Sequence, residues 1–194
     1  ATTAEESTPY IDTEFFDFEY PAADSGERVI DAQYWSSTKY VGTTMGDNAT
    51  AFGVNFADGR IKGYPTETGP RGQPKTCYLR CVRGGEGYGV NDFSANDDGT
   101  VTDKATGLMW ARADSGDAMD WEAALAYAED AELAEYDDWR LPNAKELQSI
   151  VDYTRAPDAE DEAKQGAAID PEFFEVTETE SYFWTGTTLL EGPG

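Results

Sequence analysis

An α+β fold, loop-rich and built on short twisted antiparallel sheets with two helices, is predicted by three features of the 194-residue chain. Short runs of β-prone and alternating apolar residues are punctuated by Asp58-Gly59 and Asp98-Gly99, turn pairs that close hairpins. Two stretches, after Asp120 and after Asn143, carry apolar residues at helical spacing behind a capping residue. The 19 Gly, 9 Pro and 13% aromatic residues describe a loop-rich module packed on rings, and 39% hydrophobic content supplies a core.

Taken in order, residues 1 to 10 are polar and read as a flexible leader. They lack the basic start and apolar stretch of a signal peptide, so the chain reads as mature or cytosolic. Ile11-Asp12-Thr13-Glu14-Phe15-Phe16 leads into a turn-rich passage from Pro21 to Gly26, and Tyr34 to Thr38 is a short β-prone run. From Ala51 to Phe56 apolar and polar residues alternate, placing Phe52, Val54 and Phe56 on one face before the turn at Asp58 and the strand Arg60 to Tyr64. A Gly/Pro-rich loop from Pro65 to Pro74 leads to Tyr78 to Arg83, which reads as a central strand closed by Gly84-Gly85.

In the second half, Thr100 to Asp103 is a strand after a turn and Thr106 to Trp110 its hairpin partner. Asp120 caps a helix whose stripe is Trp121, Ala124, Leu125, Ala128 and Ala131, running to about Glu135. In Asp137-Asp138-Trp139-Arg140-Leu141-Pro142-Asn143, Pro142 bars a helix from running back through Leu141. Asn143 caps the next one and Glu146 completes a capping box, so the second helix is expected from Ala144 to about Tyr153. Trp139 and Leu141 point together into the core that this helix covers.

The string from Tyr136 to Tyr153, with Asp97 to Trp110 and the run from Trp121 to Ala128, resembles the Lcl C-terminal-like domain, a bacterial family named as a domain of unknown function. The resemblance implies a compact fold of the C-type-lectin-like kind, related to the formylglycine-generating enzymes, whose Trp-Arg-Leu-Pro stretch is similar. In that family the series from Tyr34 to Gly85, with its Arg-Cys-Val-Arg-Gly-Gly ending, is the second half of the module.

The repeat is therefore inverted in order. Residues 11–85 supply a second half and residues 86–194 a first half, and a joining segment is present in both. Ile169-Asp170-Pro171-Glu172-Phe173-Phe174 repeats the opening motif, and Phe183 to Thr187 echoes Tyr34 to Thr38, so 169–187 duplicates a place already taken. One compact unit is expected, with the halves completing each other within one chain or between chains.

Charge excludes several partners. With 39 acidic against 14 basic side chains the net charge is −25, a field that repels nucleic acid, heparin-like polyanions and anionic lipid. No run is long enough to insert in a membrane. The chain has no histidine, which removes Ser-His and Cys-His nucleophile pairs and His-based zinc sites. Cys77 and Cys81 would lie roughly 13 Å apart in a straight strand, beyond disulfide reach without a bulge. Cys81 matches the family's motif and reads as a small buried hydrophobe.

Candidate sites stand against plainer structural readings. Asp97, Asp98 and Asp103 around Gly99 suggest a calcium loop, but the spacing fails an EF-hand and a hairpin turn is favoured; calcium is the one cofactor this pattern leaves open. Asp114, Asp117 and Asp120 read as helix N-terminal complementation. Sugar binding through calcium, as in C-type lectins, is not supported, because Leu141-Pro142-Asn143 opens on a residue that cannot ligate. Arg140 reads as an inward arginine in a structural ion pair. Tyr34, Trp35, Phe183 and Trp184 offer a sugar-stacking surface, with core packing as the competing role of Trp35 and Trp184. Trp110, Trp121, Trp139, Asn143 and Glu146 read as structural.

These readings converge on a non-catalytic, extracellular binding or adhesion module of a bacterial surface or secreted protein, its partner a carbohydrate, another surface protein or itself. The alternative is a structural subunit that builds a filament by exchanging half-modules. An oxidase resting on Cys77 and Cys81 is the remaining class.

Overall fold

The computed structural model describes residues 7–22, 28, 31–67, 72, 75–179 and 181–188. Six of the ten leader residues, and much of the expected turn passage at Pro21 to Gly26 and of the loop at Pro65 to Pro74, lie outside them. Two small antiparallel sheets and two helices make the fold α+β. Where one compact unit is expected from the sequence, the chain divides into two, 1–84 with 158–161 and 85–157 with 162–194.

The first unit holds a sheet in the order β1-β2-β3, over Gln33–Thr44, Asn48–Asn55 and Ile61–Pro65. The Asp58-Gly59 turn forms as its sequence dictates. Gly59 takes φ 73°, Asp58 Oδ1 accepts the Arg60 N–H at 3.1 Å, and Asn55 N–H donates to the Arg60 carbonyl at 2.9 Å. Strand β1 is longer than its β-prone core, and its register slips between Trp35 and Lys39 and again between Lys39 and Thr43. On β2 the more buried side is Ala51, Gly53 and Asn55, whereas Phe52, Val54 and Phe56 are half-covered. Aromatic rings lie against Phe52 and Phe56, Tyr40 edge-on to the first and Tyr34 to the second. Residues 158–161 strap this sheet: Glu160 N–H donates to the Val41 carbonyl, and the Tyr40 hydroxyl bonds Asp158.

The expected central strand from Tyr78 to Arg83 is not formed. Tyr78 makes one parallel bridge to Tyr34, and beyond it the chain runs exposed, with Val82 97% accessible. Its pattern explains this, since Arg80 and Arg83 put a charge on each face that a buried strand would have to desolvate. Cys81 is correspondingly exposed rather than buried, and Cys77 and Cys81 are not joined in a disulfide.

The second unit holds β4, β5 and β6 over Phe93–Ala95, Thr100–Asp103 and Leu108–Ala111. Its buried cluster is Val101, Ile150 and Phe174, flanked by Phe93, Trp110, Leu147, Ile169 and Phe173. Trp110 pairs across the sheet with Val101. Helix α1 spans Trp121–Glu129, six residues shorter than expected. It ends at the C-cap Asp130, and the chain then enters a tight turn that pairs Leu133 with Tyr136, with Ala134 and Glu135 at φ 56° and 65°. The half-buried Trp139 fastens that turn by donating its Nε1–H to the Leu133 carbonyl at 3.1 Å. Helix α2 spans Ala144–Ser149 rather than reaching Tyr153; Ile150 leaves the helix and enters the core.

Candidate binding face at the helix starts

Both helices of the second unit begin with a capping residue whose side chain accepts from the first turn, and one segment, residues 181–188, crosses those two starts. Asp120 Oδ1 accepts the Ala123 N–H at 2.8 Å. At α2 the cap is more complete. Asn143 Oδ1 accepts from Lys145 and Glu146, Glu146 Oε2 accepts from the Asn143 N–H, and Thr187 Oγ1 accepts the remaining first-turn donor, Ala144 N–H, at 2.9 Å. Every backbone donor from Asn143 to Glu146 is thereby satisfied by a side chain.

Three further bonds fix the crossing segment. Trp121 Nε1–H donates to the Thr185 carbonyl at 2.8 Å, Trp184 Nε1–H to the Met119 carbonyl at 2.9 Å, and Gly186 N–H to the Pro142 carbonyl at 2.9 Å. Each indole therefore spends its only donor on backbone. Phe183 and Trp184 remain 49% and 53% exposed, with Tyr182 fully so. Trp184 is thus held in place with its ring open to solvent, against the core role weighed for it.

Arg140 also departs from the inward placement expected of it. Its side chain is exposed, not inward, and makes a two-point pair with Glu146, Nη1 to Oε2 and Nη2 to Oε1 both at 2.7 Å. That pair, with the Asn143 N–H, holds the Glu146 carboxyl down at about 2.

Tyr34 and Trp35 lie in the other unit, on β1, and are packed. Tyr34 contacts Phe18, Phe56 and Tyr78, and Trp35 meets Tyr64 edge-on at 6.2 Å. The four proposed stacking residues thus fall in two separate sets.

The carboxylate of Asp103 is fully buried and already accepts four donors: Asp92 N–H and Ala105 N–H on Oδ1, Asn91 Nδ2 and Thr106 Oγ1 on Oδ2. Burial raises its pKa, and the four bonds outweigh that and hold it below the usual value. Asp98 Oδ1 closes the turn by accepting from Thr100 N and Oγ1, and Asp97 is exposed. Among the described residues no group of three or more acidic or sulfur side chains is arranged to hold a metal.

Several arrangements carried no recognisable sequence signal. Asp114 does not complement a helix start but accepts from Thr177 N and Oγ1, anchoring the chain after Phe174. In the first unit an open cleft of about 230 Å³ is lined by Lys39, Asp47 and Glu160 among others. Close to it, burial and the bond to Asp158 push Tyr40 up to about 12. Each of these joins residues remote in sequence, which no local pattern encodes.

Comparison with known proteins gives one result. Residues 99–193 match the family described as the Lcl C-terminal domain. No curated protein and no solved structure matches the chain. The matched region contains β5, β6, both helices, the whole capping constellation and the crossing segment. It is residues 99–193, therefore, that match the Lcl C-terminal domain family.

Proposed function

We propose that this protein is a non-catalytic binding and adhesion module, extracellular and of the C-type-lectin-like kind, acting on a bacterial surface or in a secreted protein. One observation carries the reading: Trp184 is fixed through its Nε1–H on Met119, yet half its surface faces solvent beside the half-exposed Phe183. Fixed aromatic faces give contact area at little entropic cost on binding. Their ligand is best sought among neutral carbohydrates, whose apolar ring faces stack on indole. A net charge of −25 disfavours sulfated or phosphorylated chains. Among the described residues no helix is long and apolar enough to cross a membrane.

The test is a titration of the whole chain with chitohexaose, cellohexaose and maltohexaose, followed by tryptophan fluorescence and calorimetry. A saturable response to one of them, lost in Trp184→Ala and kept in Trp35→Phe, is the expected result. No saturable response to any of the three, nor to a wider panel of neutral glycans, removes the carbohydrate reading.

A further inference from the structure

The motif Ile-Asp-Thr/Pro-Glu-Phe-Phe occurs twice, at residues 11–16 and 169–174, with five of six residues identical. The two copies also fold alike. Asp12 Oδ1 accepts the Glu14 N–H at 2.9 Å and the Asp12 carbonyl accepts the Phe16 N–H at 3.0 Å. In the second copy Asp170 Oδ1 accepts the Glu172 N–H at 2.9 Å and the Asp170 carbonyl accepts the Phe174 N–H at 3.0 Å.

Their surroundings are opposite. Phe174 is 6% exposed, edge-on to Phe93 at 5.2 Å and packed with Val101 and Ile150, while Phe173 contacts Phe93 at 5.4 Å. Phe15 and Phe16 are 79% and 44% exposed, and among the described residues the Arg80 guanidinium lies over the Phe16 ring at 5.3 Å. A turn that displays two adjacent phenylalanines to water presents an apolar surface without a seat, and the same turn elsewhere in the chain has one.

We propose that Ile11–Phe16 is a docking element whose partner is a second body built like residues 85–168, entering the seat that Phe93, Val101 and Ile150 form there when no Ile169–Phe174 copy fills it. The backbone bonds that shape the turn are already made, so no rearrangement of the element is needed before docking. Thr13 replaces Pro171 at an exposed position, and Glu14 and Glu172 carry the same charge, so neither difference opposes the fit. Among the described residues the chain has one such seat and two copies of the motif, so the seat must be vacant to accept an outside element. The surplus element is then the one that reaches a neighbour. The inference is independent of the carbohydrate reading, which concerns Trp184.

The test uses the full chain with its seat vacated. A synthetic peptide of residues 8–20 is titrated into Phe174→Ala and, as a milder variant that retains packing, Phe174→Leu, with thermal stability and calorimetric heat as readouts. Saturable binding that restores the melting temperature is expected. The affinity should be at least about tenfold above that of the same peptide with both phenylalanines replaced by alanine. The unaltered chain, its seat filled, is expected to bind the peptide far more weakly. The proposal is overturned if neither folded variant binds the peptide, or if the alanine-substituted peptide binds equally well.

Discussion

Asn143 and Glu146 each do two things at once, which makes them the sharpest single-residue tests. Asn143 Oδ1 closes two donors, so Asn143→Ala should cost about 1 kcal/mol in a denaturant titration, with no change in far-ultraviolet circular dichroism beyond the loss of a short helix. Glu146 is held down at about 2, first by the Arg140 guanidinium and then by the Asn143 N–H. A carboxyl so lowered stabilises the fold fully above its ordinary value near 4.5 and loses that contribution as pH falls toward about 2. Replacing Glu146 by Gln should lower stability at neutral pH and flatten the acid limb between these values, as a melting series from pH 6 to pH 2 would record. The phenylalanine pairs give the complementary contrast. Phe174→Ala should cost about 3 to 5 kcal/mol, and Phe15→Ala under about 0.5 kcal/mol, because only the first vacates packed volume.

Among the elements, those with local chemistry were legible and those decided by distant contacts were not. Asp58-Gly59 dictates its hairpin and Asp120 and Asn143 start their helices, since a turn or cap is specified within four residues. The ends of α1 and α2 escaped the pattern because the stop comes from elsewhere. Trp139 reaches back to Leu133 in the first case, and the core claims Ile150 in the second. The segment after Tyr78 misled for a related reason: β-prone residues alternate there, but Arg80 is drawn to the Asp17 carbonyl and the rings of Phe16 and Tyr34. Likewise Phe183 and Trp184 were legible as candidates, while the fastening of Trp184 on Met119 joins residues 65 apart and was not. Exposure of residue 81 has a direct check. In the native chain Cys81 should react with a maleimide near the rate of a free thiol, Cys77 should be several-fold slower, and unfolding should erase the difference.

For the whole molecule, charge governs the response to solution conditions. A surplus of 25 negative charges on 194 residues repels itself most when compact, so added salt should stabilise the fold. The melting temperature should rise as sodium chloride goes from 10 mM to 500 mM, with magnesium and sodium equivalent at matched ionic strength. A specific jump with calcium at sub-millimolar concentration would instead mean a bound ion. The other molecular feature is the strap, residues 158–161, which completes the first unit from a point more than seventy residues beyond the rest of it. Synthesis runs from the N-terminus, so a nascent chain that has emerged as far as Gly84 holds its three strands but lacks Asp158 and Glu160, which bond Tyr40 and Val41. It must wait for about seventy-five more residues, several seconds at ordinary translation speeds. During that interval the β1 sheet is on view to chaperones and to neighbouring nascent chains on the same messenger, and the last residues to secure the first unit are made after most of the second.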